Sequence, residues 1–395
     1  MKHINVVVIG QNYSTSLGLI QAAGEAGYSV GVVHCSSIIP KHIPLEFRSK
    51  YISATLLAER SKEQELVSNL LKTFSNGSKK PVLIPSHDIS VVFIDRNLDV
   101  LENHFIVPHI HHKSGEMMRY MDKGMQSKVA IESGLNKTPS WVVDLDGSSN
   151  VTIPQDILYP CITKPLRSVG SLKTYIRRCD NKDELYEVLN EINNNKPSQI
   201  LVEQFIDIDN EYTIPGVAID DAVYIPAFIH KDLVGSGAHK GVTIAGTVIE
   251  SNRFNHIVPR LKQFIRTIGL QGIFDIELIE SNGTFYFNEL NLRYGAAGYA
   301  LTRAGINIPA IWIEYCLYNR KAEPNYNLNN GLTFVSDKAA LDNLLSGYMS
   351  VKDYKSLISL SDFRFLIDNQ DKSIRDRMRL FEIKALLAKK LGIRR

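Results

Sequence analysis

FDIELIESNGTFYFNELNLRYG, residues 274 to 295, reads as two strands joined at Ser281, Asn282 and Gly283. Side chains alternate along a strand, so Glu289 and Asn291 share one face while Leu290 points away. Across an antiparallel pair, Glu277 can join that face. Two carboxylates and an amide oxygen form a hard-oxygen set suited to Mg²⁺, which completes its shell with water and phosphate. The competing reading is a solvated sheet face with ordinary acids. The apolar and aromatic neighbours Phe274, Ile276, Phe285, Tyr286 and Phe287 argue against it, because acids in a largely buried hairpin need partners. Arg293, two positions on, can reach a phosphoryl group from the same face. GAAG, 295 to 298, either opens a helix whose N–H groups face an anion or is only a tight connection.

Outward from this hairpin, the chain has 395 residues, 44% hydrophobic and 22% charged, enough for two or three domains. A net charge of +3 makes no global demand for nucleic acid. No apolar run approaches the ~18 residues of a membrane span, and MKHINVVVIG has no signal-peptide cleavage site, so a cytoplasmic protein is expected. Cys35, Cys161, Cys179 and Cys316 are scattered without a CxxC pair and read as packing residues.

Ile4 to Ile9, a turn at Gly10, a helix over 16–26 and a strand over 29–33 make a βαβ start, and with it a parallel sheet. A nicotinamide fold is disfavoured, because GQNYSTSLG lacks GxGxxG spacing and the second strand ends in His34 rather than an acid. VLIPSHDIS, 82 to 90, is another carboxyl strand end, which makes Ser86 and Asp88 candidate substrate contacts; Asp88 as a helix cap is the equal alternative. The expected layout is an α/β domain over 1–112, an α+β region over 113–320 and a helical extension over 321–395.

Three further groups carry chemistry. In KPLRSVGS, Lys164 at a strand end and the small residues Ser168, Gly170 and Ser171 can lay a cation and backbone donors over phosphates. Lys123, in MDKGMQSK, is a third cation with Arg293 and Lys164; by itself it is an ordinary helix lysine. LVEQFIDIDNEYTI, 201 to 214, brings Glu203, Gln204, Phe205 and Ile206 to a strand edge that suits a purine, with Glu211 placed for ribose hydroxyls. Between them and the hairpin, HKDLVGSGAHKGVTIAG is a polar, glycine-rich segment in which His239 and Lys240 are candidate substrate cations, or merely part of a connection. HIHH, 109 to 112, is explained by a linker as well as by a metal site.

In this order, Asp122-Lys123, Lys164-Pro165, Glu203 to Ile206 with Glu211, and Glu277 followed by Glu289, Asn291 and Arg293 resemble the ATP-grasp superfamily over residues 1 to 315. The resemblance implies that Lys123 and Lys164 contact ATP phosphates, Glu203 to Ile206 the adenine, Glu211 the ribose, and Glu277, Glu289 and Asn291 two Mg²⁺ ions, for which Mn²⁺ can substitute. RSVGS departs from the family in holding one glycine where many relatives hold three or more, and Asp275 stands close enough to rival Glu277 as the first ligand. The family chemistry activates a carboxylate as an acyl phosphate for attack by an amine, with Lys164 and Arg293 stabilising the charge that develops. NELNLRYGAAGYALTRAGINIP resembles the branch containing D-aspartate ligases and enzymes of surface-polymer assembly, which implies an amino-acid carboxylate and an amine on a lipid-linked or nucleotide-linked precursor, in a chain that can pair as a homodimer.

Rival readings are a carboxylase, disfavoured by the lack of a biotin or lipoyl lysine motif, and a nucleotide-binding regulator without turnover, disfavoured by the intact acidic set. Residues 371 to 395 hold nine Lys or Arg against three Asp or Glu in a helical pattern. Such a helix either packs on its own domain, the favoured reading, or meets an anionic membrane.

Overall fold

The computed structural model describes residues 3–11, 13–40, 44, 48–75, 79–145, 151–167, 173–193, 198–236, 241–321 and 327–391. At the amino terminus, four parallel strands lie in the order Ile52–Glu59, Val30–Ser36, Val6–Gly10 and Val82–Pro85. The opening strand is apolar throughout because both of its faces are covered. Val6 and Val8 enter one core with Leu19 and Ile20, whereas Val7 and Ile9 enter another with Leu66, Leu70, Phe93 and Ile94. The first of these cores continues into Tyr299, Ala300, Trp312 and Ile313, so the helices after the hairpin pack on the amino-terminal sheet.

A small antiparallel sheet follows, with Ser140–Asp144, Gln199–Gln204, Cys161–Lys164 and Arg177–Cys179 in that spatial order. The helix Lys182–Asn193 covers it through Leu185, Leu189 and Ile192. Cys161 and Cys179, far apart in the chain, are cross-strand partners as free buried thiols. Among the described residues the largest sheet has nine strands; along its main path run Thr284–Asn291, Leu270–Ser281, Asn210–Ile219, Ala227–Val234, Thr243–Glu250, Thr333–Val335 and Phe363–Arg364. Its core, around Phe228, Phe264, Phe274 and Phe287, is closed by the helix Val258–Ile268.

The last 65 described residues contain the helices Asp337–Leu345, Val351–Ser359 and Lys372–Lys390, together with two of the large sheet's strands. The final helix does pack on its own region, burying Ile374, Met378 and Ala385. Its opposite face is exposed at Leu380, Ile383 and Leu387. Among the described residues, no helix is long and apolar enough to cross a membrane.

Candidate active site

The hairpin forms as its alternation requires. Leu270–Ser281 and Thr284–Asn291 pair antiparallel, with Glu277 opposite Glu289 and Asp275 opposite Asn291, which brings all four to one face. Leu290 turns into the core beside Phe274, Ile276 and Phe287. Each of the two glutamates meets a lysine. Lys123 Nζ lies 2.5 Å from Glu289 Oε1, and Lys231 Nζ lies 3.2 Å from Glu277 and 3.4 Å from Glu211. Burial alone would lower the Lys231 pKa, but Glu277 and Glu211 outweigh it and hold the ammonium firmly protonated. Burial likewise acts to raise Glu277, and Lys231 reverses the shift, so that acid stays ionised.

Asp275 has a different environment. Its carboxylate accepts from Thr213 Oγ1 at 2.5 Å, and burial pushes its pKa up to about 6. A Cβ on Gly295 would stand 1.8 Å from Asp275 Oδ2, and one on Gly298 would stand 2.6 Å from the Tyr294 ring. The two glycines are therefore required by close packing. The segment opens the short helix Gly298–Arg303, and the Gly298 N–H is bonded to the Gly295 carbonyl at 3.1 Å.

Arg293 reaches back to the amino-terminal domain. Its Nε donates to Asp88 Oδ1 at 2.6 Å and its Nη2 to Asn291 Oδ1 at 3.2 Å. Burial works to raise the Asp88 pKa, but the guanidinium holds it below the usual carboxylate value. Asp88 does not cap the helix Asp88–Arg96; His87 does, accepting from Ile89 N. Ser86, expected to touch substrate, is fully buried, with Oγ 2.7 Å from Ser16 Oγ and 3.2 Å from the Ile9 carbonyl. It ties the first strand to the first helix instead.

Lys164 and Glu203 to Ile206 line one narrow cleft with Lys137, Thr138, Ile162, Ile208, Ile279, Tyr286, Phe287 and Asn288. The backbone and the rings suit a flat heterocycle. The Glu203 carboxylate, expected at an adenine, is paired with Lys137 and with Lys164, the latter at 2.5 Å. Lys164 also donates to Asn288 Oδ1 at 3.2 Å, on the second strand of the hairpin. Ser168, Gly170, Ser171, His239 and Lys240 lie outside the described residues.

Two lysines were missed from sequence. Lys231 occupies the same strand parity as Ala227 and Ile229, an inward position where a lysine signals a buried acid, and that phase was the available clue. Lys137 lies in an irregular segment before a strand, where no periodicity marks it. HIHH is more than a linker: His109 and Ile110 pair with Gln271 and Leu270 in the large sheet, His109 and His112 stack with centroids 3.5 Å apart, and burial pushes the His109 pKa down to about 4.

Among the described residues, no group of three or more His, Cys, Asp or Glu is placed to hold a metal ion. Besides Asp275, which Thr213 engages, the hairpin offers Glu277, Glu289 and Asn291, a partial oxygen set whose negative charge is balanced by lysines. That donor chemistry fits Mg²⁺ shared with phosphate oxygens.

Fold and paired acids resemble those of the ATP-grasp class. No family model matches the chain. Within that class its sequence is similar to a D-aspartate ligase from Enterococcus faecium (strain Aus0004), 24% identical with 74% of this chain and 72% of that protein covered. It is also similar to a formate-dependent phosphoribosylglycinamide formyltransferase from Tolumonas auensis, 20% identical over 56% of this chain and 61% of the relative. Its fold matches the N5-carboxyaminoimidazole synthetase of Staphylococcus aureus complexed with ADP, with a TM-score of 0.64, 15% identity, and 88% and 86% of the two chains covered. It also matches an L-amino acid ligase from Bacillus licheniformis, with a TM-score of 0.62, 16% identity, and 84% and 80% covered.

Proposed function

We propose that the protein is an ATP-dependent carboxylate–amine ligase acting on an amino acid. The observation that carries this reading is the pairing of Glu277 with Glu289 on one face, with Lys231, Lys123 and Arg293 around them. Lys123 and Lys164 hold the phosphates, the cleft at Glu203 to Ile206 takes the adenine, and Glu211 serves the ribose. Ser168, Gly170 and Ser171 are further proposed phosphate contacts. Glu277, Glu289 and Asn291 would hold two Mg²⁺ ions, or Mn²⁺, which supply Lewis-acid neutralisation of the phosphate charge.

In the reaction, a substrate carboxylate oxygen attacks the γ-phosphorus and the bond to ADP breaks, leaving an acyl phosphate. An amine then adds to the acyl carbon, Arg293 stabilises the oxyanion, and phosphate departs as the nitrogen loses its proton. Asp88 orients Arg293 and so acts through it rather than on substrate. His239 and Lys240 are kept as candidate substrate contacts, and the proposed acceptor is an amine, on a lipid-linked or nucleotide-linked precursor. The test is ADP release with Mg²⁺, ATP and a panel of D- and L-amino acids, each with candidate amines. Stimulation by one amino acid supports the reading; none under any pairing sinks it.

The carboxy-terminal helix is assigned to an anionic bilayer surface. Leu380, Ile383, Leu387 and Leu391 are 53%, 55%, 53% and 72% exposed and form one stripe, with Arg377 and Lys384 on one side and Arg379 and Lys390 on the other. Glu382 is bound internally by Arg364 at 2.8 Å, and exposed Asp376 offsets only part of the charge of Arg377, Arg379, Lys384 and Lys390, so the outward face is net cationic. Vesicles containing phosphatidylglycerol should capture the protein in flotation, whereas pure phosphatidylcholine should not, and Ile383→Glu with Leu387→Glu should abolish capture. If the double variant instead converts a dimer to a monomer and leaves vesicle capture unchanged, the stripe is a contact between copies.

A further inference from the structure

Glu203 sits on the strand Gln199–Gln204, opposite Ser140 on one neighbouring strand and Ile162 on the other. Lys137 enters from the segment before the first neighbour, and Lys164 stands at the end of the second. Both ammonium groups converge on the one carboxylate, Lys137 on Oε1 and Lys164 on Oε2. Lys137 and Glu203 side chains are 2% and 3% exposed, whereas Lys164 is 20% exposed and therefore the freer cation.

The cluster holds two positive charges against one negative. Burial works to raise the Glu203 pKa, but Lys164 and then Lys137 outweigh it and hold it at about 2. Burial lowers the Lys137 pKa, with Glu203 opposing and Lys164 adding to the fall. A surplus cation in a desolvated site is relieved when an anion takes one lysine away. Lys164 is placed for that exchange, since it already spans from Glu203 to Asn288 on the hairpin. Lys137 lines the other side of the cleft, with Thr138 and Ile162.

We propose that Lys137 is the fixed counterion of Glu203 and Lys164 the transferable one, so that phosphates draw Lys164 away while Lys137 keeps the buried carboxylate paired. The freed Glu203 Oε2 then accepts from the exocyclic amine of the base, which couples phosphate binding to base recognition. A 6-aminopurine satisfies that oxygen. A 6-oxopurine sets an acceptor against a carboxylate and is disfavoured. Lys137 is thus a positioning residue. The inference rests on the nucleotide-site reading above.

The test is equilibrium binding of ATP and ITP to the full chain without amino acid, followed by KM and kcat for ATP. In Lys137→Gln, Lys164 becomes the sole partner of Glu203 and is held back. ATP affinity should fall ~10- to 100-fold, within the range of breaking a buried pair. The ATP to ITP preference should shrink, kcat at saturation should change less than KM, and Lys137→Arg should restore most of the loss. Lys137→Met, apolar and of similar length, replaces the Gln variant if thermal unfolding shows that one to be misfolded. Wild-type binding left unchanged by either variant overturns the exchange, as does an equal loss for ATP and ITP that Arg fails to rescue. A wild-type protein that binds no nucleotide overturns the underlying site reading and the exchange with it.

Discussion

Replacing Glu289 with alanine is expected to lower kcat at least ~10²- to 10³-fold, the scale set by removing one preorganised electrostatic contact to the transition state. The loss should fall on turnover more than on folding. Glu289 is near the end of its strand and paired with Lys123, while the neighbouring Leu290 and Phe287 hold the hairpin in the core. Steady-state kinetics across a Mg²⁺ titration check this, with thermal unfolding as the control. The apparent metal requirement should rise together with the loss of kcat, because one of two carboxylates in the partial oxygen set is gone. Normal turnover in Glu289→Ala would remove the metal assignment.

The second large effect is expected at Arg293. Lysine keeps the charge but cannot donate at once to Asp88, to the Tyr294 carbonyl and to Asn291, all of which the guanidinium contacts. Arg293→Lys should therefore cost ~10²-fold in kcat. Asp88→Asn leaves the guanidinium in place with a weaker tether and should cost ~10-fold, the scale of losing a charge-assisted hydrogen bond. Because Asp88 acts only through Arg293, the double variant should be little worse than Arg293→Lys alone. Additive losses in single-turnover measurements would mean that Asp88 touches substrate independently.

The hairpin was legible in sequence because its two determinants are local. Alternation set which side chains share a face, and Ser281-Asn282-Gly283 set the turn, so the Glu277 and Glu289 pairing followed. The parallel amino-terminal sheet was legible for a similar reason, since an unbroken apolar strand needs cover on both faces. The partners of those side chains were much less visible. Lys231 and Glu277 are distant in sequence, as are Arg293 and Asp88, and no periodicity links them. Ser86 shows the same limit: a strand-end serine beside an aspartate reads as a substrate contact, yet Gly10 leaves just enough room for its hydroxyl to turn inward. There a Cβ on Gly10 would lie 2.0 Å from Ser86 Oγ.

The most direct test of the acyl-phosphate chemistry is isotope transfer from the carboxylate. With the stimulating amino acid labelled with ¹⁸O in its carboxylate, and with ATP, Mg²⁺ and the amine acceptor, the released phosphate should carry one ¹⁸O per turnover, because the attacking oxygen leaves with the phosphoryl group. Phosphate released without label while ADP and product accumulate would contradict carboxylate activation and the ligase reading built on it.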